Sequence, residues 1–151
     1  MISYQISIFA ENKPGRLAKV TRILGREKIN IRAITISSSD AFGVINILAD
    51  DPKRAEGVLK KEGLTVSLKE VVAVIIEDKP GGLDKLIQLL AENEINVENA
   101  YGFVLESWKK AVFVVDVDQI EKTQDLLDNA GFETLDADTL AAVEPFHYMK
   151  Y

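Results

Sequence analysis

The chain contains no cysteine. Disulfides, thiol nucleophiles, iron–sulfur clusters and cysteine zinc sites are therefore all excluded together. Histidine is almost as scarce: His147, four residues from the end, is the sole one. Zinc, copper and nickel sites draw on those two residue types, so no metal is expected, and no calcium-loop spacing appears among the carboxylates. No apolar run approaches the roughly 20 residues needed to cross a bilayer. The start, Met1-Ile2-Ser3-Tyr4-Gln5, lacks the basic and then apolar pattern of a signal peptide. A cytoplasmic chain without membrane contact is the expectation. Positive charge is also short, since the formal net charge is −6 and no Lys/Arg cluster exceeds a pair. Such a chain is repelled by a phosphate backbone, which argues against nucleic acid.

What the sequence does contain is a globular mixture, 47% hydrophobic and 28% charged, organised by a repeat. The stretch Glu11-Asn12-Lys13-Pro14-Gly15-Arg16-Leu17 returns 66 residues later as Glu77-Asp78-Lys79-Pro80-Gly81-Gly82-Leu83. Leu24/Leu90, Ile29/Ile95 and Asn30/Asn96 keep that spacing, and further on the offset becomes 68, aligning Asp50 with Asp118 and Gly63 with Gly131. The chain is a duplication, with a first domain over 1–70 and a second over 71–151.

Each copy reads strand, helix, strand, strand, helix, strand. Tyr4, Ile6 and Ile8 alternate with Ser3, Gln5 and Ser7, the period of a half-buried strand. Pro14-Gly15 opens a helix whose apolar positions are Leu17, Val20, Ile23 and Leu24. Strands are expected over Ile29–Ser37 and Phe42–Ala49, joined by a turn at Ser38-Ser39-Asp40. Asp51-Pro52 combines a capping side chain with proline at the first helical position. Ala55, Val58 and Leu59 form that helix's buried stripe, Gly63 ends it, and Leu64, Val66 and Leu68 alternate in a closing strand. In the second copy Asp118 and Glu121 have capping-box spacing, Leu126 and Leu127 supply the buried face, and Gly131 ends the helix.

The order βαββαβ implies an α+β fold of two ferredoxin-like units, each an antiparallel sheet with its helices on one face. A unit of about 70 residues is marginal alone, and only Glu70 separates the copies, so they are expected to pack on each other. Val71–Ile76 is apolar without interruption and Ala111–Val115 nearly so, as in strands covered on both faces. Helices cover only one face, so either a second copy of the chain closes the other, making a homodimer, or the strand is buried wholly within one chain. Leu140–Val143 aligns with Val72–Ile75 and is expected as an extra strand before the aromatic tail Pro145–Tyr151. Docking of that tail, onto its own fold or a partner, fits it better than catalysis. Tyr101, Phe103 and Trp108 flank the second copy's hairpin and suit packing against a partner better than lining a pocket for a large side chain. Asp116, Asp118, Asp136 and Asp138 read as caps and solvated turns.

The two heptapeptides resemble the ACT-domain signature: an acidic or amide residue, a basic residue, Pro-Gly and an apolar residue after a first strand. Ile29-Asn30-Ile31 and Ile95-Asn96-Val97 fit the same family, and the resemblance covers nearly the whole chain, twice. It implies regulation of amino-acid metabolism through a free amino acid or similar metabolite bound between two such domains. The implied ligand residues are Asn12, Lys13, Pro14, Gly15 and Asn30, with Asp78, Pro80, Gly81 and Asn96 in the second copy. The chemistry is reasonable. N–H groups at a helix start suit a carboxylate, glycine allows close approach, asparagine both donates and accepts, and Asp78 can take an ammonium. The structural alternative is that Pro-Gly makes the turn and that Asn30 and Asn96 satisfy backbone groups.

Three functions follow: a stand-alone sensor, an enzyme on the same plan, or a ligand-free module that assembles with and regulates a separate metabolic enzyme. No nucleophile with a base, phosphate loop or carboxylate pair has supporting spacing. Neither a catalytic residue nor a cofactor is therefore expected. The basic, aromatic strand motif of RNA-binding relatives of this fold is also missing.

Overall fold

The structure is a computed structural model and describes residues 2–142. The chain divides into two compact units, Tyr4–Glu70 and a second that runs from Val71 onward and also takes in the N-terminal residues through Ser3.

The first unit comprises β1 (Ser3–Glu11), α1 (Arg16–Arg26), β2 (Ile31–Ser39), β3 (Phe42–Ala49), α2 (Pro52–Lys61) and the first half of β4 (Thr65–Glu77). β3 pairs antiparallel with both β1 and β2, with Ile6 opposite Ile47 and Ile36 opposite Ile45. Period-2 alternation sends Ile6, Ile8, Ile45 and Ile47 to one face, where they join Val20, Ile23 and Leu24 of α1 and Ala55 and Leu59 of α2 in one core. Val66 belongs to the same core and Leu68 packs on it, so the start of β4 closes the unit.

The second unit repeats the plan with the rest of β4, then α3 (Gly82–Glu92), β5 (Val97–Glu106), β6 (Lys110–Val117), α4 (Ile120–Asn129) and β7 (Thr134–Leu135). Here β6 pairs with β4 and β5, and β7 pairs with β4 on its other edge, all antiparallel. Val72, Val74, Leu86, Leu90, Val115 and Leu127 form its core.

The start and stop signals act as their chemistry requires. The Asp51 carboxylate accepts the Arg54 N–H at 3.3 Å, with Pro52 at the first helical position. Gly63 and Gly131, just past α2 and α4, have φ of 87° and 84°.

Several expectations are corrected. Leu17, in the first turn of α1, is 37% exposed, whereas Val20, Ile23 and Leu24 of the same stripe are buried. Ser38 and Ser39 extend β2, so the hairpin tip is Asp40-Ala41, with Asp40 at φ 52°. The capping box does not form, since α4 begins after Gln119 without a side-chain cap and Asp118 bonds elsewhere. Asp116 is buried, 5% exposed on β6, and is not a solvated turn residue. Within the apolar run Val71–Ile76, Val71–Val74 are buried in the single chain and Ile75 and Ile76 are half-buried. Leu140–Ala142 lie in a short helix, α5 (Ala137–Ala142), packed against β7 with Leu140 buried. The Asp136 side chain accepts the Thr139 N–H at 2.7 Å and so favours a helix over the expected strand. Val143 and the tail with His147 lie outside the described residues.

Candidate functional site

Pro14-Gly15 turns the chain sharply from β1 into α1. Gly15 is the residue before the helix at φ 91°, and Gly81 precedes α3 at φ 84°. Only glycine takes this left-handed conformation without a Cβ penalty, so the glycine is explained by the turn itself. At the start of α1 the Arg16 N–H donates to the Lys13 carbonyl at 3.4 Å and the Lys19 N–H to the Gly15 carbonyl at 3.0 Å, which leaves the Leu17 and Ala18 N–H groups without a helical acceptor.

Asn12 binds the hairpin tip twice. Its N–H donates to the Ala41 carbonyl at 2.8 Å and its side-chain amide to the Asp40 carbonyl at 3.1 Å. The second unit reverses the polarity: the Asp78 carboxylate accepts the Trp108 N–H at 2.7 Å, and the Asp78 N–H donates to Lys109 at 3.0 Å. One position therefore ties the β1–α1 loop to the hairpin in both units, with an amide in one and a carboxylate in the other. The Asp78 oxygen expected to meet a ligand ammonium already holds a backbone N–H.

Lys13 and Arg16 both reach Glu11, at 3.3 and 3.2 Å. In the second unit Lys79 meets Glu77 at 2.6 Å and Lys85 meets it at 3.7 Å. The bond and charge of Lys79, with Lys85 adding, hold the Glu77 carboxyl below its ordinary value. Pro14 and Pro80 stand exposed in their loops.

A cleft of about 140 Å³ opens beside Asn12 and Lys13, walled by Ala10, Leu17, Ile36, Gly43 and Ile45. Its apolar rim continues along β2, where Ile34 is 40% and Ile36 53% exposed. β2 pairs only with β3 among the described residues, so this rim lies on an open edge. In the second unit Gly102 faces Phe113 where the first has Ile36 facing Ile45. A Cβ on Gly102 would meet the Phe113 ring at 3.1 Å. Phe113 thus lies over the place that Ile36 walls in the first unit.

Asn30 and Asn96 are elsewhere. Ile31 lies opposite Ala49, whereas Glu11 and Ser39 both lie opposite Phe42. Asn30 is therefore at the far end of the sheet from Asn12, an 11-residue helix away, about 16 Å. The Asp50 carboxylate accepts the Asn30 N–H at 3.1 Å, and the Asp50 N–H returns a bond to the Asn30 carbonyl at 3.1 Å. Asp118 and Asn96 repeat the exchange at 3.1 and 3.3 Å. Both asparagine side chains are left to solvent. Of these two aspartates the sequence reading takes Asp118 as a cap and gives Asp50 no role; their alignment across the repeat is the available signal.

Tyr101 and Asp116 stand on the sheet face away from the second core. Burial, and secondly the Asp116 charge, push the Tyr101 phenol well above its ordinary value. Among the described residues no group of carboxylates and histidine is arranged to hold a metal ion.

A family model described as an ACT domain pair matches residues 1–143. A protein from Bacteroides thetaiotaomicron has a similar structure, with a TM-score of 0.87 at 31% identity over 93% of this chain and 96% of that one. The ligand-free regulatory subunit of aspartate kinase from Thermus thermophilus shares the fold at 17% identity, with a TM-score of 0.61 over 87% of this chain and 97% of that one. Aspartate kinase from Synechocystis does so at 19% identity and a TM-score of 0.56, over 99% of this chain and 28% of the enzyme. No curated protein matches the chain significantly.

Proposed function

Given that this chain belongs to the ACT domain pair family, we propose that it is a non-catalytic regulatory protein that binds a free amino acid or similar small metabolite. The cleft beside Asn12 in the first unit carries the reading. It joins a small apolar pocket to the start of α1, where the Leu17 N–H lacks a helical acceptor, as an amino acid's side chain and carboxylate would require.

The register adds a condition. Asn12 and Asn30 cannot share one ligand within a unit. A two-fold axis that sets two β2 edges antiparallel brings the Ser39 end of one against the Ile31 end of the other. Asn12 of one copy then faces Asn30 of the second, whose side-chain amide is free, and Ile34 and Ile36 become covered. The proposed site is therefore an ACT–ACT interface in a homodimer, and binding shifts the balance between dimer arrangements. Output to a metabolic enzyme follows from that shift. The regulatory-subunit fold supports this part, as it does the absence of catalysis.

A thermal-shift screen against the twenty amino acids tests the reading. A ligand at about 100 times its Kd stabilises by about 2.7 kcal/mol, a rise of several degrees. The expected result is a selective shift lost in Asn30→Ala, whose side chain holds no bond within the fold. No shift with any compound would favour the ligand-free assembly module, for which the exposed Leu17, Ile34 and Ile36 would be the docking residues.

A further inference from the structure

Where β1 ends beside the β2–β3 hairpin, two phenylalanines stand in solvent. Phe9 is 55% and Phe42 53% exposed, and their rings stack with centroids 5.9 Å apart and planes inclined by 25°. Leaving two large rings in water forgoes the stabilisation that burial would bring. They wall a cleft of about 280 Å³ that continues past Arg16, Gly63, Leu64 and Thr65. Arg16 gives Nη2 to Glu11 at 3.2 Å, while its Nε–H is screened from water and has no acceptor.

The second unit is a control within the same chain. The corresponding cleft recurs there, about 360 Å³, along Ile75, Gly82, Lys110, Gly131 and Phe132. Phe9 is matched by Ile75, Phe42 by Lys110 and Arg16 by Gly82, as the pairs Glu11–Phe42 and Glu77–Lys110 require. The turn, the helix start and the cleft thus form without either ring and without the guanidinium. Their presence in the first unit alone calls for a cause other than folding.

We propose that this cleft of the first unit is a binding site for a planar aromatic carboxylate, its ring against Phe9 and Phe42 and its carboxylate on Arg16. Phenyl faces and edges attract an offset or edge-on ring. The guanidinium's Nη2 exchanges the Glu11 carboxylate for that of the ligand. The ligand needs neither an ammonium nor Asn12 and Asn30, so the site does not rest on the amino-acid reading. Arg16 lines both clefts, so the probes carry no ammonium.

The test is titration of the isotopically labelled full chain with phenylacetate, phenylacetamide and cyclohexylacetate, followed by amide NMR shifts. Phenylacetate should give saturable shifts grouped at Ala10, Glu11, Phe42, Leu64 and Thr65. The uncharged and the non-aromatic probes should each bind roughly tenfold more weakly. Arg16→Gln and Phe42→Leu should each weaken phenylacetate by a similar factor, while Asn30→Ala leaves it unchanged. If Phe42→Leu perturbs the fold, Phe9→Ile, which installs the second unit's own residue, replaces it. The proposal is overturned by no saturable shift, by shifts centred in the second unit, by equal binding of the three probes, or by loss of binding in Asn30→Ala.

Discussion

Gly81 and Gly82 are neighbours required for different reasons. Gly81 holds φ 84° with nothing within 4 Å of where a Cβ would stand, so Gly81→Ala should cost only the left-handed backbone penalty, about 1–2 kcal/mol. At Gly82 a Cβ would lie 2.0 Å from the Glu77 carbonyl oxygen, a backbone atom that cannot swing aside. Gly82→Ala should therefore cost more, about 3 kcal/mol, as overpacking against backbone does. Chemical denaturation of the two variants checks the order. Tyr101 gives a pH prediction. Its phenol is raised in the fold, so the neutral form is favoured there and its contribution is complete below the ordinary value of 10.0. That contribution is lost as pH climbs above 10.0, where the unfolded chain ionises first. Tyr101→Phe should remove this part of the alkaline loss, seen as a flatter melting temperature above that pH.

At the scale of elements, two aspartates that look alike in sequence do different work. Asp51 caps α2, and Asp51→Ala should cost about 1 kcal/mol of stability. Asp118 leaves α4 uncapped and instead ties the start of β5 to the end of β6. In Asp118→Ala the Asn96 amide should exchange with solvent faster, while the Asn30 amide, held by Asp50 in the other unit, should not change. Amide hydrogen exchange of the variant reads both at once. The loop-to-hairpin tie has the same two-fold logic. Asn12→Asp would put a carboxylate where an amide now donates to a carbonyl, so it should loosen the Asp40 tip.

For the whole molecule, the exposed apolar edge of β2 is the surface that the proposed interface uses. Ile36→Lys should shift the sedimentation behaviour of the chain from dimer to monomer without unfolding it, because Ile36 is half exposed already. Wild-type chain that stays monomeric at high concentration would remove the two-copy site, and with it the pairing of Asn12 with Asn30. As sequence, the apolar Val71–Ile76 run suggests a dimer through the sheet face, yet Val71–Val74 are covered within one chain. The β2 edge, not that run, is where a second copy would find apolar surface.

Much of this was legible in the residues themselves. The repeat, the element order, the Asp51 cap and the glycines at 15, 63, 81 and 131 are local features. Helical and strand periodicities, turn stereochemistry and caps act over a few residues of chain, so sequence alone determines them. Only the tertiary structure decided which distant residues meet. It set Asn12 and Asn30 at opposite ends of a sheet, gave Asp118 to Asn96, laid Phe113 over Gly102 and stacked Phe9 on Phe42. Those meetings depend on strand order and register, which are settled by burying whole faces together, and no single segment carries that information.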